Sequence, residues 1–115
     1  MEKLKEQLAE FSRERDWEQF HSPKNLAMAL AVEAAEIMEH FQWLTQEESR
    51  DLDQGKLANV REEIGDVMIY LTELSAVLGV DPLAAAWDKL EKNRRKYPAD
   101  AVRGKALKYS EYRQD

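Results

Sequence analysis

The stretch ALAVEAAEIME, residues 29–39, decides how this chain is read. Across 26–38, eleven of thirteen residues are apolar, and the two exceptions are Glu33 and Glu36. A segment that greasy reads as a helix covered on most of its circumference. Its two acids stand one turn apart on the same face. Buried carboxylates need a partner, because an unpaired charge out of water is costly.

The device occurs twice. REEIGDVMIY carries Glu63 and Asp66, again three residues apart among apolar neighbours. Neither pair has a lysine or arginine three or four positions away on its own helix. At an effective dielectric near 20, each close like-charge pair costs about 4 kcal/mol. A single Glu-x-x-Glu on an ordinary amphipathic helix is a solvated acidic face with distant cationic partners. Two such pairs on two apolar helices that can pack together point instead to a divalent cation. Hard oxygen donors select Mg²⁺, Mn²⁺ or Ca²⁺. A di-iron bundle needs Glu-x-x-His, whereas His40 lies four residues after Glu36 and no second histidine follows on the other helix.

Around these segments the chain reads as helices throughout. KLKEQLAEF spaces Leu4, Leu8 and Phe11 for a helix over 2–17. Ser22-Pro23 is a start signal for a second helix over 23–43. Thr45 and Glu48 form a capping box that opens a short helix ended by Gly55. A long helix is predicted over 56–78, with Ile64, Val67, Met68, Leu71, Leu74 and Leu78 inward and Gly79 closing it. Asp81-Pro82 begins the last helix and Pro98 stops it. The fold expected is an all-α bundle of four main helices plus a short one, a domain over 1–98, with a polar, partly ordered tail over 99–115. One small bundle covers only part of so apolar a second helix, so a homo-oligomer is expected.

Composition agrees with a globular helical domain: 43% hydrophobic and 35% charged residues in 115. Without cysteine there is no disulfide framework and no thiolate zinc site, which suits a reducing cytoplasm. MEKLKEQLAE is charged throughout and does not read as a signal peptide, and no membrane span is expected. A net charge of −6 argues against a nucleic-acid polymer as partner. The charge is segregated. Residues 25–49 hold five acids and 62–88 six, with no lysine or arginine in either, while 89–113 hold nine of the seventeen cations. Mg²⁺ held by few carboxylates commonly takes phosphate as its other ligand. Lys89, Asn93 and Lys96, near one face of the last helix, suit that phosphate, although a basic helix C-terminus is also favoured by the dipole alone.

The aromatic residues divide by position. Trp87, mid-helix among alanines, reads as core. Trp17 and Trp43 lie at helix ends, where a flat ring either packs or stacks on a base. His21 lies in a loop, and Tyr70 is one turn beyond Asp66 on the face of the acids.

Taken in order, Glu33-x-x-Glu36, a gap of 26 residues, and Glu63-x-x-Asp66 resemble the signature of the all-α nucleoside triphosphate pyrophosphohydrolases, the MazG-like group. The strings ERDWEQFHSPKNL, EHFQW, EEIGDVMIYL and NRRKYP resemble its dCTP pyrophosphatase branch. The resemblance implies that Glu33, Glu36, Glu63 and Asp66 hold Mg²⁺, with Mn²⁺ as a substitute. It implies that Trp17, His21, Trp43 and Tyr70 line a nucleotide pocket and that Asn93, with Lys89 and Lys96, reaches the substrate. It further implies a tetramer, a dimer of dimers, and cleavage between the α- and β-phosphates. In that chemistry Glu36 or Glu63 accepts the proton of the attacking water. Val32 stands where the wider family often has a third acid, and Leu8 where the eukaryotic dCTP enzymes carry a histidine. The base preference is left open between dCTP or its 5-modified analogues, dUTP, and a broad set. The rival in another class is a non-catalytic helical oligomer that binds a partner or senses nucleotides.

Overall fold

The computed structural model describes residues 1–104, which are helical with no strand among them. In chain order the elements are α1 (Glu2–Glu14), a 3₁₀ turn (Glu18–Phe20), α2 (Pro23–Phe41), α3 (Gln46–Ser49), α4 (Gln54–Val77), α5 (Pro82–Lys96) and α6 (Ala99–Val102). They fall into two compact units. Met1–Val80 holds α1 to α4, and α5 and α6 lie in the second, which begins at Asp81. Within the first unit α2 packs along α4, and α1 packs on α4 as well. Leu26 on α2 and Val60 on α4 are the buried apolar side chains among the described residues.

The start signals act as the sequence predicts. Ser22 Oγ accepts the Asn25 N–H at 3.1 Å, and proline occupies the first position of α2. Thr45 and Glu48 make the reciprocal box at 3.1 and 2.9 Å. Asp81 caps α5 by accepting the N–H groups of Leu83 and Ala84. Each bond satisfies a donor that would otherwise be orphaned at a helix start.

The ends are where prediction and structure differ. Helix α1 stops at Glu14, not at 17, because Asp16 adopts a left-handed φ of 55°. The Trp17 N–H then reaches Ser12 O at 2.9 Å and the Asp16 N–H reaches Arg13 O at 3.1 Å. That pair of bonds is a Schellman closure with aspartate where glycine is usual. Its hydrophobic contact is also present: the Trp17 and Phe11 rings meet edge to face at 5.7 Å. Gly79, at φ 66°, closes α4 in the same way. Gly55 does not end the short helix. It lies in the first turn of α4, whose cap is Asp53, accepting from the Lys56 N–H at 2.7 Å. Helix α2 ends at Phe41, two residues before Trp43.

The inward face of α4 is also rotated from the predicted one. Val60, Val67 and Leu74 are covered, whereas Ile64 (54% exposed), Met68, Leu71 and Leu78 are open. Helix α4 is apolar around most of its circumference, so periodicity did not fix its phase. Trp87, read as core, is 61% exposed: among the described residues of its unit, the four-residue α6 is the one other helix. Of the predicted tail, Ala99–Val102 forms a short helix, and residues 105–115 lie outside the described set.

The left-handed Asp16 makes a specific prediction. Asp16→Gly leaves thermal stability within about 0.5 kcal/mol of wild type, whereas Asp16→Val lowers it by about 1–2 kcal/mol, because a branched side chain resists that conformation. Equal melting temperatures for the two variants would contradict the closure.

Candidate functional site

Helices α2 and α4 each contribute acids to one focus. Packing their apolar faces together brings Glu33 and Glu36 of α2 beside Glu63 of α4, with one carboxylate oxygen of each within 4.8 Å of the others. All three side chains are half-buried. One oxygen of Glu33 and one of Glu63, both Oε2, are buried with no hydrogen-bond partner. Asp66, one turn along α4, adds its negative field.

The electrostatics follow. Burial first, then the neighbouring Glu36 carboxyl, with Asp66 and Glu63 adding to it, push the Glu33 carboxyl from 4.5 up to about 7. The Glu36 carboxyl beside it, then burial, raise Glu63. Among the described residues, the group of opposite potential charge is His40, whose Nε2 lies 3.9 Å from Glu63 Oε1. One imidazole at so long a distance does not offset several carboxylates. Orphaned buried oxygens and mutual repulsion mark an oxygen donor set with a positive charge still to be supplied. Mg²⁺ or Mn²⁺ fits such donors.

Next to the acids a cleft of about 520 Å³ opens between α1 and α4. Asp66, Tyr70 and Glu73 line it from successive turns of α4, and Leu8 and Phe11 from α1. The Schellman closure turns the chain so that Trp17 and His21 line it too. Arg15 supplies a cation to the wall, its guanidinium 3.6 Å from the Phe11 ring centre. Burial, followed by Glu33, Glu73 and Asp66, raises the Tyr70 hydroxyl, so the phenol keeps its proton and remains a donor.

Of the predicted site residues, Glu33, Glu36 and Glu63 converge, and Asp66, Tyr70, Trp17 and His21 share the adjoining cleft. Trp43 is 86% exposed just past α2 and is not among the residues lining that cleft. Lys89, Asn93 and Lys96 recur along one face of α5, in the second unit. Sequence reasoning weighed His40 only as a di-iron ligand and passed over Glu73. His40 had a usable signal, since it lies four residues from Glu36 and seven from Glu33 on the same helix face. Lys56 Nζ fixes that end of α2 by donating to His40 O at 3.0 Å.

The raised Glu33 carboxyl sets a pH dependence. The unfolded chain releases this proton near 4.5, while the folded protein holds it to about 7. The stability it contributes is therefore complete below 4.5 and lost as pH rises through 7. In EDTA the melting temperature should fall between pH 5 and pH 8. Mg²⁺ should restore it, and more at pH 8 than at pH 5, because the cation binds the ionised cluster of the folded state. A flat EDTA profile with no response to Mg²⁺ would count against this cluster.

Comparison with known proteins gives a consistent family. Residues 28–111 match the model of the MazG-like family. Human dCTP pyrophosphatase 1 is 43% identical over 113 residues, covering 96% of this chain and 66% of that protein. The bovine dCTP pyrophosphatase 1 is 42% identical over 96% of this chain and 67% of its own length. The chain thus spans about two thirds (66–67%) of these curated relatives. A crystal structure of a pyrophosphatase from Archaeoglobus fulgidus is similar at a TM-score of 0.81 and 43% identity, covering 85% of this chain and 92% of that one. The match runs through both acid pairs and most of the sequence strings that suggested the resemblance, and this chain belongs to the MazG-like family.

Proposed function

We propose that this protein is a divalent-metal-dependent pyrophosphohydrolase that cleaves dCTP or 5-modified deoxycytidine triphosphates to the monophosphate and pyrophosphate. Its role is to clear such nucleotides from the pool in the cytoplasm. The observation that carries this reading is the convergence of Glu33, Glu36 and Glu63, with two buried oxygens lacking partners, beside an aromatic-walled cleft. The names of relatives 42–43% identical across the chain support the substrate class.

The residues divide the work. Glu33, Glu36, Glu63 and Asp66 hold the cation, Mg²⁺ or Mn²⁺. Bound there, it would supply positive charge against phosphate oxygens and make a water more acidic. Glu36 or Glu63 takes the proton from the water whose oxygen bonds to the α-phosphorus, as the bond to the bridging oxygen breaks and pyrophosphate leaves. Trp17 and Tyr70 confine the nucleoside, and His21 approaches its edge. Lys89, Asn93 and Lys96 are assigned to the substrate phosphates, within a catalytic domain taken as residues 1–98. Trp43 is assigned to a nucleotide site completed between chains.

Oligomerisation belongs to the same proposal. Met28, Val32 and Met38 on α2 and Ile64, Met68 and Leu71 on α4 are exposed. Apolar stripes of that kind mark surfaces that another copy covers. A tetramer arranged as a dimer of dimers accounts for both.

Three outcomes check this. With Mg²⁺, dCTP should yield pyrophosphate rather than free phosphate. Glu33→Gln, Glu63→Gln or Asp66→Asn should each lower kcat by about 100-fold or more while leaving the helices intact. A non-catalytic scaffold would instead be indifferent to them. Light scattering in solution should give the mass of four chains, and the double variant Ile64→Glu, Met68→Glu should give a smaller species. A wild-type monomer would remove the tetramer from the proposal.

A further inference from the structure

We propose that Glu73 selects the base in this cleft, its carboxylate accepting a hydrogen bond from the exocyclic 4-amino group of a cytosine ring. The inference rests on the pyrophosphohydrolase reading and adds the residue that discriminates the substrate. Glu73 follows Asp66 by seven residues on α4, so both line the same cleft about 10 Å apart along the helix axis. A nucleotide with its phosphates at the acid cluster and its sugar beside Tyr70 reaches the Glu73 end with its base.

The surroundings of Glu73 suit this task. It is half-buried, and it lines both the cleft and an adjoining cavity of about 270 Å³. The α1 wall offers Leu8, which has no polar group, to both. Burial raises the Glu73 carboxyl, and His21 and the Ser12 hydroxyl pull it back down. The Ser12 hydroxyl beside it is buried. An ionised carboxylate offers about four acceptor sites and no donor. Cytosine presents an amino donor at position 4, whereas uracil and thymine place a carbonyl acceptor there. A buried acceptor facing an acceptor stays unpaired, and sites built on a hydrogen bond reject such analogues strongly.

A purely structural Glu73, tying Ser12 and His21 to α4, would change stability but not the choice of base. The test is therefore the ratio of kcat/KM for dCTP to that for dUTP, read by pyrophosphate release from the full chain with Mg²⁺. Glu73→Gln, whose amide can turn either a donor or an acceptor to the base, should lower this ratio by about tenfold or more. Glu73→Asp, which withdraws the carboxylate by one methylene, should lower it too and serves if the glutamine variant does not fold. An unchanged ratio in a folded variant overturns the inference, even if the melting temperature drops. Wild-type protein that cleaves dCTP and dUTP equally well overturns it while leaving the pyrophosphohydrolase reading in place. Wild-type protein that releases pyrophosphate from no triphosphate removes that reading and this inference together.

Discussion

The structure depends on one constraint: the apolar contact between α2 and α4 cannot form without pressing carboxylates together. Glu33, Glu36 and Glu63 are interspersed with the residues that make the contact, among them Leu26 and Val60. Each fully buried aliphatic side chain contributes about 1.5–3 kcal/mol, and the crowded carboxylates work against that gain whenever they are ionised. The folded chain thus forms a site less stable than its packing alone would allow. Protonation lessens that repulsion, and a divalent cation held there would lessen it too, linking its binding to folding.

A second constraint operates at the end of α1. The left-handed Asp16 stops the helix early and reverses the chain, so Trp17 and His21 fall against the same face of α4 that carries Asp66, Tyr70 and Glu73. Had α1 run on to residue 17, the tryptophan would have been carried along its axis. The turn thereby connects a local backbone conformation to the composition of the cleft. Charge collects at the acid end, and aromatic surface with a few polar groups collects beyond it.

How far the sequence disclosed this depends on the kind of signal. Hydroxyl and aspartate caps are local chemistry, and Ser22, Thr45 and Asp81 were readable without tertiary information. The acid pairs stood out because their apolar flanks made them expensive. Asp16 was not readable, since aspartate takes a left-handed closure far less often than glycine does. Gly55 misled for the opposite reason: a glycine after a short helix reads as a stop, while Asp53 already supplied a start. Glu73 was passed over because a lone acid on a long helix looks solvated until α1 is seen to cover it.

The phase of α4 has a physical explanation that bears on the whole assembly. Successive side chains on this helix serve three surfaces. Val60, Val67 and Leu74 are covered within the chain, Asp66, Tyr70 and Glu73 face the cleft, and Ile64, Met68 and Leu71 remain open. A helix with two apolar arcs has no single hydrophobic side, so its periodicity is flattened and its orientation is not legible from one chain. The same flattening is informative in reverse. An apolar arc in excess of what the chain can cover specifies a further surface, and its position on α4 next to Glu63 puts any copy that covers it close to the acid cluster. Assembly and catalysis would then be constrained by neighbouring residues of one helix.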